Sequence, residues 1–131
     1  MNFSQVSRNK IYFGGGKEGL SPEDEELLDR IIFYMGRDPR VFALYIDGHS
    51  DNRGRRYDNR QLSKRRAESV ERYLIKKGIN PDMITLRFHG QRYPIASNNT
   101  VKGRATNRRV TIRLEMREDM EIPKELLFLP D

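Results

Sequence analysis

Apolar residues recur along this chain at two spacings, and the change from one to the other marks out its elements. Ile11–Phe13, at the end of "NKIYF", reads as a short strand that runs into the glycine turn "GGG". "SPEDEELLDRIIFYM" predicts a helix. Ser21 can cap it, Pro22 sits where a missing N–H costs nothing, and Glu23, Asp24 and Glu25 suit the positive helix end. Leu27, Leu28, Ile31, Ile32 and Met35 then repeat at helical spacing. Val41–Ile46 is apolar on both faces, as in a central strand covered on each side. A second helix is expected from about Asn59 to Lys77, with Leu62, Ala67, Val70, Tyr73 and Leu74 inward. Gly78 is placed for a left-handed C-cap and Ile79 for its hydrophobic contact. Ile84–His89 is a third strand, "GQRYPIASNNTVKGRAT" a long loop, and Asn107–Glu115 a strand with one open face.

Strand, helix, strand, helix, strand, strand is an α/β (α+β) order, βαβαββ. Its two crossovers put a layer of helices on one mixed sheet, a two-layer sandwich. A chain of 131 residues forms one domain by default. Residues 1–115 are read as that domain and 116–131 as an extension, with "LLFLP" able to pack back on the body or dock on a partner. The absence of Cys excludes disulfides and thiolate metal sites. No apolar run approaches a bilayer span. The net charge of +6 is uneven: from Arg37 to Arg113, 19 Lys and Arg face 7 Asp and Glu, between two acidic ends. Such a middle attracts acidic groups, unless the acidic ends fold back on it.

The chemistry gathers in "IDGHSDNRGRRYDNRQLSKRRAESVERYL". Asp51 falls just past the central strand, and Arg66 is placed on the first turns of the helix that follows. Ligands of open α/β sheets favour the crevice beyond the strand carboxyl ends. There Asp51 would accept from an ammonium and Arg66 would grip a carboxylate with its fork, so a zwitterion would satisfy both. The alternative is that Asp51 pairs with Arg66 directly, or caps the helix, and takes no ligand.

At these residues the chain resembles the OmpA-like peptidoglycan-binding domain. "GHSD", the Asn and "LS" that follow, "RA", and the second block "GQRYPIASNNTVKGRATNRRVTI" carry the likeness, over roughly Tyr12 to Glu115. Within the family, "YIDGHSDNRG", "RFHGQRYP" and "NRRVTIRLE" look most like the cell-wall-binding half of a sodium-driven flagellar motor protein. The resemblance implies non-covalent, non-catalytic binding of diaminopimelate in the peptidoglycan stem peptide, with no cofactor. Asp51 and Arg66 would hold its ammonium and carboxylate. Asn59 and Leu62 would line the pocket, with Ser50 in the family's hydroxyl position and the backbones of Phe13 and Gly14 helping. It also implies a periplasmic or outer-membrane location, a signal and an upstream domain absent from this sequence, and flagellar motor or outer-membrane partners. The chain departs from the pattern at Asp58, which adds negative charge at the rim, at Gln91, and at Gly14, where an Asp is common.

Arg108 or Arg109 could touch the ligand, with a structural pair to Asp47 or Asp58 as the alternative; Arg109 is included among the binding residues. His49 is read as a structural hydrogen bonder and Tyr93 as loop packing. His49, Ser50 and Asp51 are adjacent, and strand neighbours point apart, so they make no triad. Nucleic-acid binding by the basic middle is the competing reading. Against it, no aromatic platform alternates with the arginines. An enzyme acting on the wall ranks last for want of an acid–base pair or a nucleophile with a positioned base.

Overall fold

In a computed structural model, which describes residues 9–121 together with residue 124, these segments become four strands and three helices. The order is β1 (Lys10–Tyr12), α1 (Pro22–Met35), β2 (Val41–Gly48), α2 (Arg56–Lys76), β3 (Ile84–Phe88), α3 (Val101–Asn107) and β4 (Arg109–Met116). A 3-10 turn at Pro81–Met83 precedes β3. The sheet runs β1-β4-β2-β3. β4 lies antiparallel between β1 and β2, and β2 pairs in parallel with β3, Leu44 opposite Ile84 and Gly48 opposite Phe88. This is the α/β sandwich expected, with one further helix, α3, inside the segment read as irregular loop. β4 runs on to Met116, and the Arg117 N–H donates to the Arg40 carbonyl at 2.7 Å, so the strand crosses the expected boundary at 115. Most of the 116–131 extension, including "LLFLP", lies outside the described residues.

The helix ends follow their local chemistry. At the start of α1 the Ser21 hydroxyl accepts from the Asp24 N–H and the Asp24 carboxylate from the Ser21 N–H, which satisfies two otherwise orphaned donors. The acidic first turn is thus capping, as read. At the end of α2, Ile79 donates to the Leu74 carbonyl and Gly78 to that of Ile75, with Gly78 at φ 104. These are the two bonds of a Schellman cap, and Ile79 packs against the core as its hydrophobic contact. α2 begins three residues earlier than expected, at Arg56, with Arg55 as a cap that makes no side-chain bond.

Leu28, Ile31 and Tyr34 of α1 and Ala67, Val70, Tyr73 and Leu74 of α2 close over Ile11, Leu44, Ile46, Val110, Ile112 and Leu114 of the sheet. β2 was expected to be covered on both faces; the helices cover one. On the other face the Arg87 and Arg113 guanidinium groups each lie 4.7 Å from the Tyr45 ring centre, one from either neighbouring strand. Arginine stems shelter an aromatic ring while their charged ends stay wet, so an apolar run does not by itself demand a second helical layer.

Two close approaches position the far end of the sheet. A side chain at Gly48 would fall on the Ser63 carbonyl, so α2 can lie directly on the end of β2 only over a glycine. A side chain at Gly103 would fall on the Ser97 carbonyl, where the loop before α3 crosses that helix. Asn107, wholly buried, ties the same loop: its amide oxygen accepts from the N–H groups of Ile95 and Ala96, and its NH₂ donates to Ala96 O and Asn98 Oδ1. Just past β2, the His49 ring stacks on His89 at 4.9 Å, and His89 in turn bonds Asp47 at 2.7 Å. His49 Nδ1 and Arg109 Nε are buried without a hydrogen-bond partner among the described residues. Burial, reinforced by the nearby Arg109 charge and His89, pushes the His49 imidazole down to about 3; Asp47 opposes this weakly.

Gly103→Ala tests the crossing, because helix propensity and packing predict opposite signs. Propensity alone would stabilise α3 by about 1 kcal/mol; displacing the Ser97 backbone should instead cost about 1–3 kcal/mol, read from the urea midpoint. His49 gives a pH signature. The unfolded imidazole takes a proton near 6.5 while the folded one stays neutral down to about 3. Its share of stability is therefore complete above pH 6.5 and is lost as pH falls towards 3, by at most about 1.4 kcal/mol per pH unit. The depressed carboxylates Asp38 and Asp47 lose theirs only below the ordinary carboxylate range. Urea unfolding of the parent should therefore show a slope between pH 6.5 and 4.5 that His49→Gln flattens.

Candidate functional site

The loops leaving β1 and β2, the first half of α2 and the outer face of α3 meet at one end of the sheet and enclose a cavity of about 560 Å³. Asp51, Arg66, Asn59 and Leu62, four of the residues singled out from the sequence, line it. Asp51, on an exposed-looking turn of Gly, Asn and Arg, is in fact only 7% exposed. Its Oδ1 accepts from the Arg53 N–H at 3.0 Å and its Oδ2 from Arg108 Nη1 at 3.0 Å. Two of its roughly four lone-pair sites are thus filled. It neither pairs with Arg66 nor caps α2.

Arg66, expected on the first turns of the helix, stands eleventh in α2, in its third turn. It has no exposed surface. Its guanidinium donates to three backbone carbonyls, those of Lys17, His49 and Gly14, at 2.8, 3.1 and 3.1 Å, and lies 5.2 Å from the Phe13 ring centre. One buried cation therefore fastens the glycine loop after β1 to the end of β2. Burial pushes the group down to about 10, partly offset by Asp51; it remains a cation at neutral pH. Two of its five N–H groups are left uncommitted.

The other expected residues have structural duties. The Phe13 N–H donates to the Arg108 carbonyl and its own carbonyl accepts from Arg108 Nε, while the Gly14 carbonyl accepts from the Lys17 N–H and from Arg66. The wall of the cavity is formed instead by Gly15 and Gly16, from the glycine run read only as a turn. Ser50 is buried and donates to the Asp51 carbonyl. Arg109 lies apart from these residues. It is 4% exposed, spends its guanidinium on the carbonyls of Asn107 and Tyr93, and is not part of the cavity lining. Its neighbour Arg108 lines the cavity instead. Neither pairs with Asp47 or Asp58. Asp47 bonds Arg87 and His89, and Asp58 bonds Arg55 at 2.8 Å on the surface. Alternation explains the swap: a one-residue step at the start of β4 sends successive side chains to opposite sides. Asn59 donates to Gln91 Oε1 at 2.9 Å, so the Gln at that position still holds the pocket wall. Tyr93 lies edge-on to His89 at 5.2 Å and is half exposed.

Arg53, Arg65, Arg104 and Val101 were not assigned from sequence, and Arg108 only as the alternative to Arg109, yet all border the cavity. Three of them depend on α3. Its signal was present in "TVKGRATN": Thr100 accepts from the Gly103 N–H as an N-cap. The interior glycine and flanking Asn and Ser hid it. Arg104 points back to the Asn98 carbonyl at 2.9 Å, which keeps its guanidinium at the cavity edge.

Comparison with known proteins gives the family. Residues 12–108 match the OmpA family. Outer membrane protein A of Bordetella avium is 41% identical over 103 residues, 79% of this chain and 53% of that protein. Peptidoglycan-binding protein ArfA of Mycobacterium bovis is 39% identical over 107 residues, 82% of this chain and 32% of that protein. The chain thus spans a third to a half of these relatives. The crystal structure of the peptidoglycan-associated lipoprotein from Burkholderia pseudomallei superposes with a TM-score of 0.76 at 25% identity, over 81% of this chain and 89% of that one. On a match that runs from the end of β1 to the residue before β4, with the cavity inside it, the chain belongs to the OmpA family.

Proposed function

We propose that this domain binds peptidoglycan without catalysis, by the diaminopimelate residue of the stem peptide, and so anchors an assembly to the cell wall. The observation that carries the reading is a pair of opposite charges on one cavity. Asp51 and Arg66 both border it, and neither neutralises the other. Asp51 keeps lone pairs for an ammonium, and Arg66 places a positive charge and two unspent N–H groups beneath the floor for a carboxylate. The carbonyls of Gly14, Lys17 and His49 hold the other three N–H groups and so fix the guanidinium in place. The name of the mycobacterial relative, a peptidoglycan-binding protein, supports the ligand class. The outer-membrane relatives support a periplasmic setting; no helix among the described residues is long and apolar enough to cross a membrane. The load, a flagellar motor or another outer-membrane assembly, would be carried by sequence beyond this domain.

Binding rather than reaction suits the side chains. The Ser50 hydroxyl is turned to a carbonyl, not to a base, and Asp51 is held by a cation and a backbone N–H. Part of the basic middle is likewise committed. Arg40 is bound to Asp38, Arg87 to Asp47, Arg108 to Asp51, and Arg66 and Arg109 to carbonyls, so these charges do not form the open stripe that nucleic acid requires.

The test is co-sedimentation with purified diaminopimelate-containing wall. Asp51→Asn keeps the side-chain shape and removes the charge. It should cut binding about tenfold or more, the scale of one charge-assisted hydrogen bond at about 1.5–3 kcal/mol. Wall built with lysine in place of diaminopimelate should bind weakly to the parent. A variant that melts like the parent and still pulls down equal wall would refute the assignment of Asp51. Arg66→Ala is a poor first probe, because it also releases three carbonyls.

A further inference from the structure

The cavity carries more positive charge than a zwitterion can use. Asp51 is matched by Arg108, Arg65 by Glu18 at 2.6 Å, and Asp58 by Arg55. Three lining cations are left without a carboxylate partner among the described residues: Arg66 below the floor, and Arg53 and Arg104 at the edges. Arg53 contributes only its backbone N–H to the structure, to Asp51, and its side chain is exposed. Arg104 gives one N–H to the Asn98 carbonyl. Both stand on the segments that frame Asp51, the turn after β2 and helix α3. A diaminopimelate tip brings one ammonium for Asp51 and one carboxylate for Arg66, which leaves two arginines facing the cavity unanswered.

We propose that Arg53 and Arg104 select a stem peptide whose remaining carboxylates are free, and that the guest is a net anion rather than a neutral zwitterion. This rests on the reading above and deepens it. A stem peptide ending at or just past diaminopimelate offers the acids required: the side-chain carboxylate for Arg66, with the glutamate α-carboxylate and the chain-terminal carboxylate for the two edge arginines. Arginine suits this task because its planar fork meets a carboxylate by two parallel bonds and keeps its charge at any working pH. Amidation of the glutamate or of the terminus replaces an anion with a neutral amide. It removes the charge pairing while leaving the shape and the diaminopimelate tip intact. A cross-linked stem, whose terminus or diaminopimelate amine is consumed, loses part of the same recognition. The domain would therefore choose among regions of one wall by their carboxylate content.

Titration of the full chain with soluble muropeptides tests this. The ligands are the free-acid tripeptide form and its glutamate α-amide and terminal amide, each at low and at high salt. At low salt each amide should bind the parent roughly three- to tenfold more weakly than the acid, with the gap narrowing as salt screens the edge charges. Arg53→Gln lies on an exposed side chain and should fold as the parent does. It should weaken the acid form alone and lose discrimination against one of the two amides; Arg104→Gln should do so for the other. Equal binding of acid and amides by the parent, with Asp51→Asn still impaired, overturns the carboxylate proposal and leaves the diaminopimelate reading standing. Binding of none of the three muropeptides overturns both.

Discussion

A single buried cation sets the geometry on which the site depends. Arg66 reaches from the third turn of α2 to carbonyls on the loop after β1 and on the residue just past β2. These three segments are far apart in sequence and share no strand pairing at that point. A guanidinium out of water is costly unless its donors are satisfied, and three carbonyls satisfy most of them. The cost then becomes a constraint, because the loops cannot drift without stranding the charge. The helix can deliver Arg66 there only because Gly48 lets α2 rest on the end of β2.

A second set of arginines completes the frame from the other side. Arg108 bridges the Phe13 carbonyl and the Asp51 carboxylate, and so ties β1, the β2 turn and the entry to β4 into one unit. Asn107 beside it holds the 95–98 loop with a fully satisfied amide. The block "GRATNRR" is thus a run of separate tasks: a glycine for the crossing, an arginine at the cavity edge, an asparagine for the loop, an arginine for the carboxylate and an arginine for the Tyr93 carbonyl. Polar groups of this kind specify one arrangement because every wrong arrangement leaves a buried donor or acceptor unmatched.

Sequence periodicity made the sheet, α1, the core stripe of α2 and the Gly78 cap legible, because each follows from spacing or from one residue's backbone preference. The resemblance carried by "GHSD" and "NRR" brought Asp51, Arg66, Asn59 and Leu62 to one place. Three features were out of reach for physical reasons. α3 is seven residues long with a glycine inside it, so its helix depends on tertiary contacts that propensity cannot express. Arg108 and Arg109 are neighbours whose roles depend on strand phase, and a shift of one residue exchanges them. The burial of Asp51 was not legible because exposure is a property of what covers a turn. Arg108, 57 positions away, covers this one.

The uncompensated charge at the cavity edge is the feature that the fold does not explain. Buried carboxylates elsewhere in the chain are partnered: Asp38 takes both Arg40 and the Tyr34 hydroxyl, and Asp47 takes Arg87 and His89. Arg66 itself sits beside the like charges of Arg108 and Arg65, which Asp51 and Glu18 offset. Local rules are broken most often where a protein must hold something other than itself. On the proposal made above, Arg53 and Arg104 would be answered only when acidic groups arrive, so binding energy would be stored as unpaired charge before the ligand is present. The rigid frame of Arg66, Arg108 and Asn107 makes that storage effective, since a softer cavity would relax its own charges towards solvent or towards one another and leave the guest less to gain.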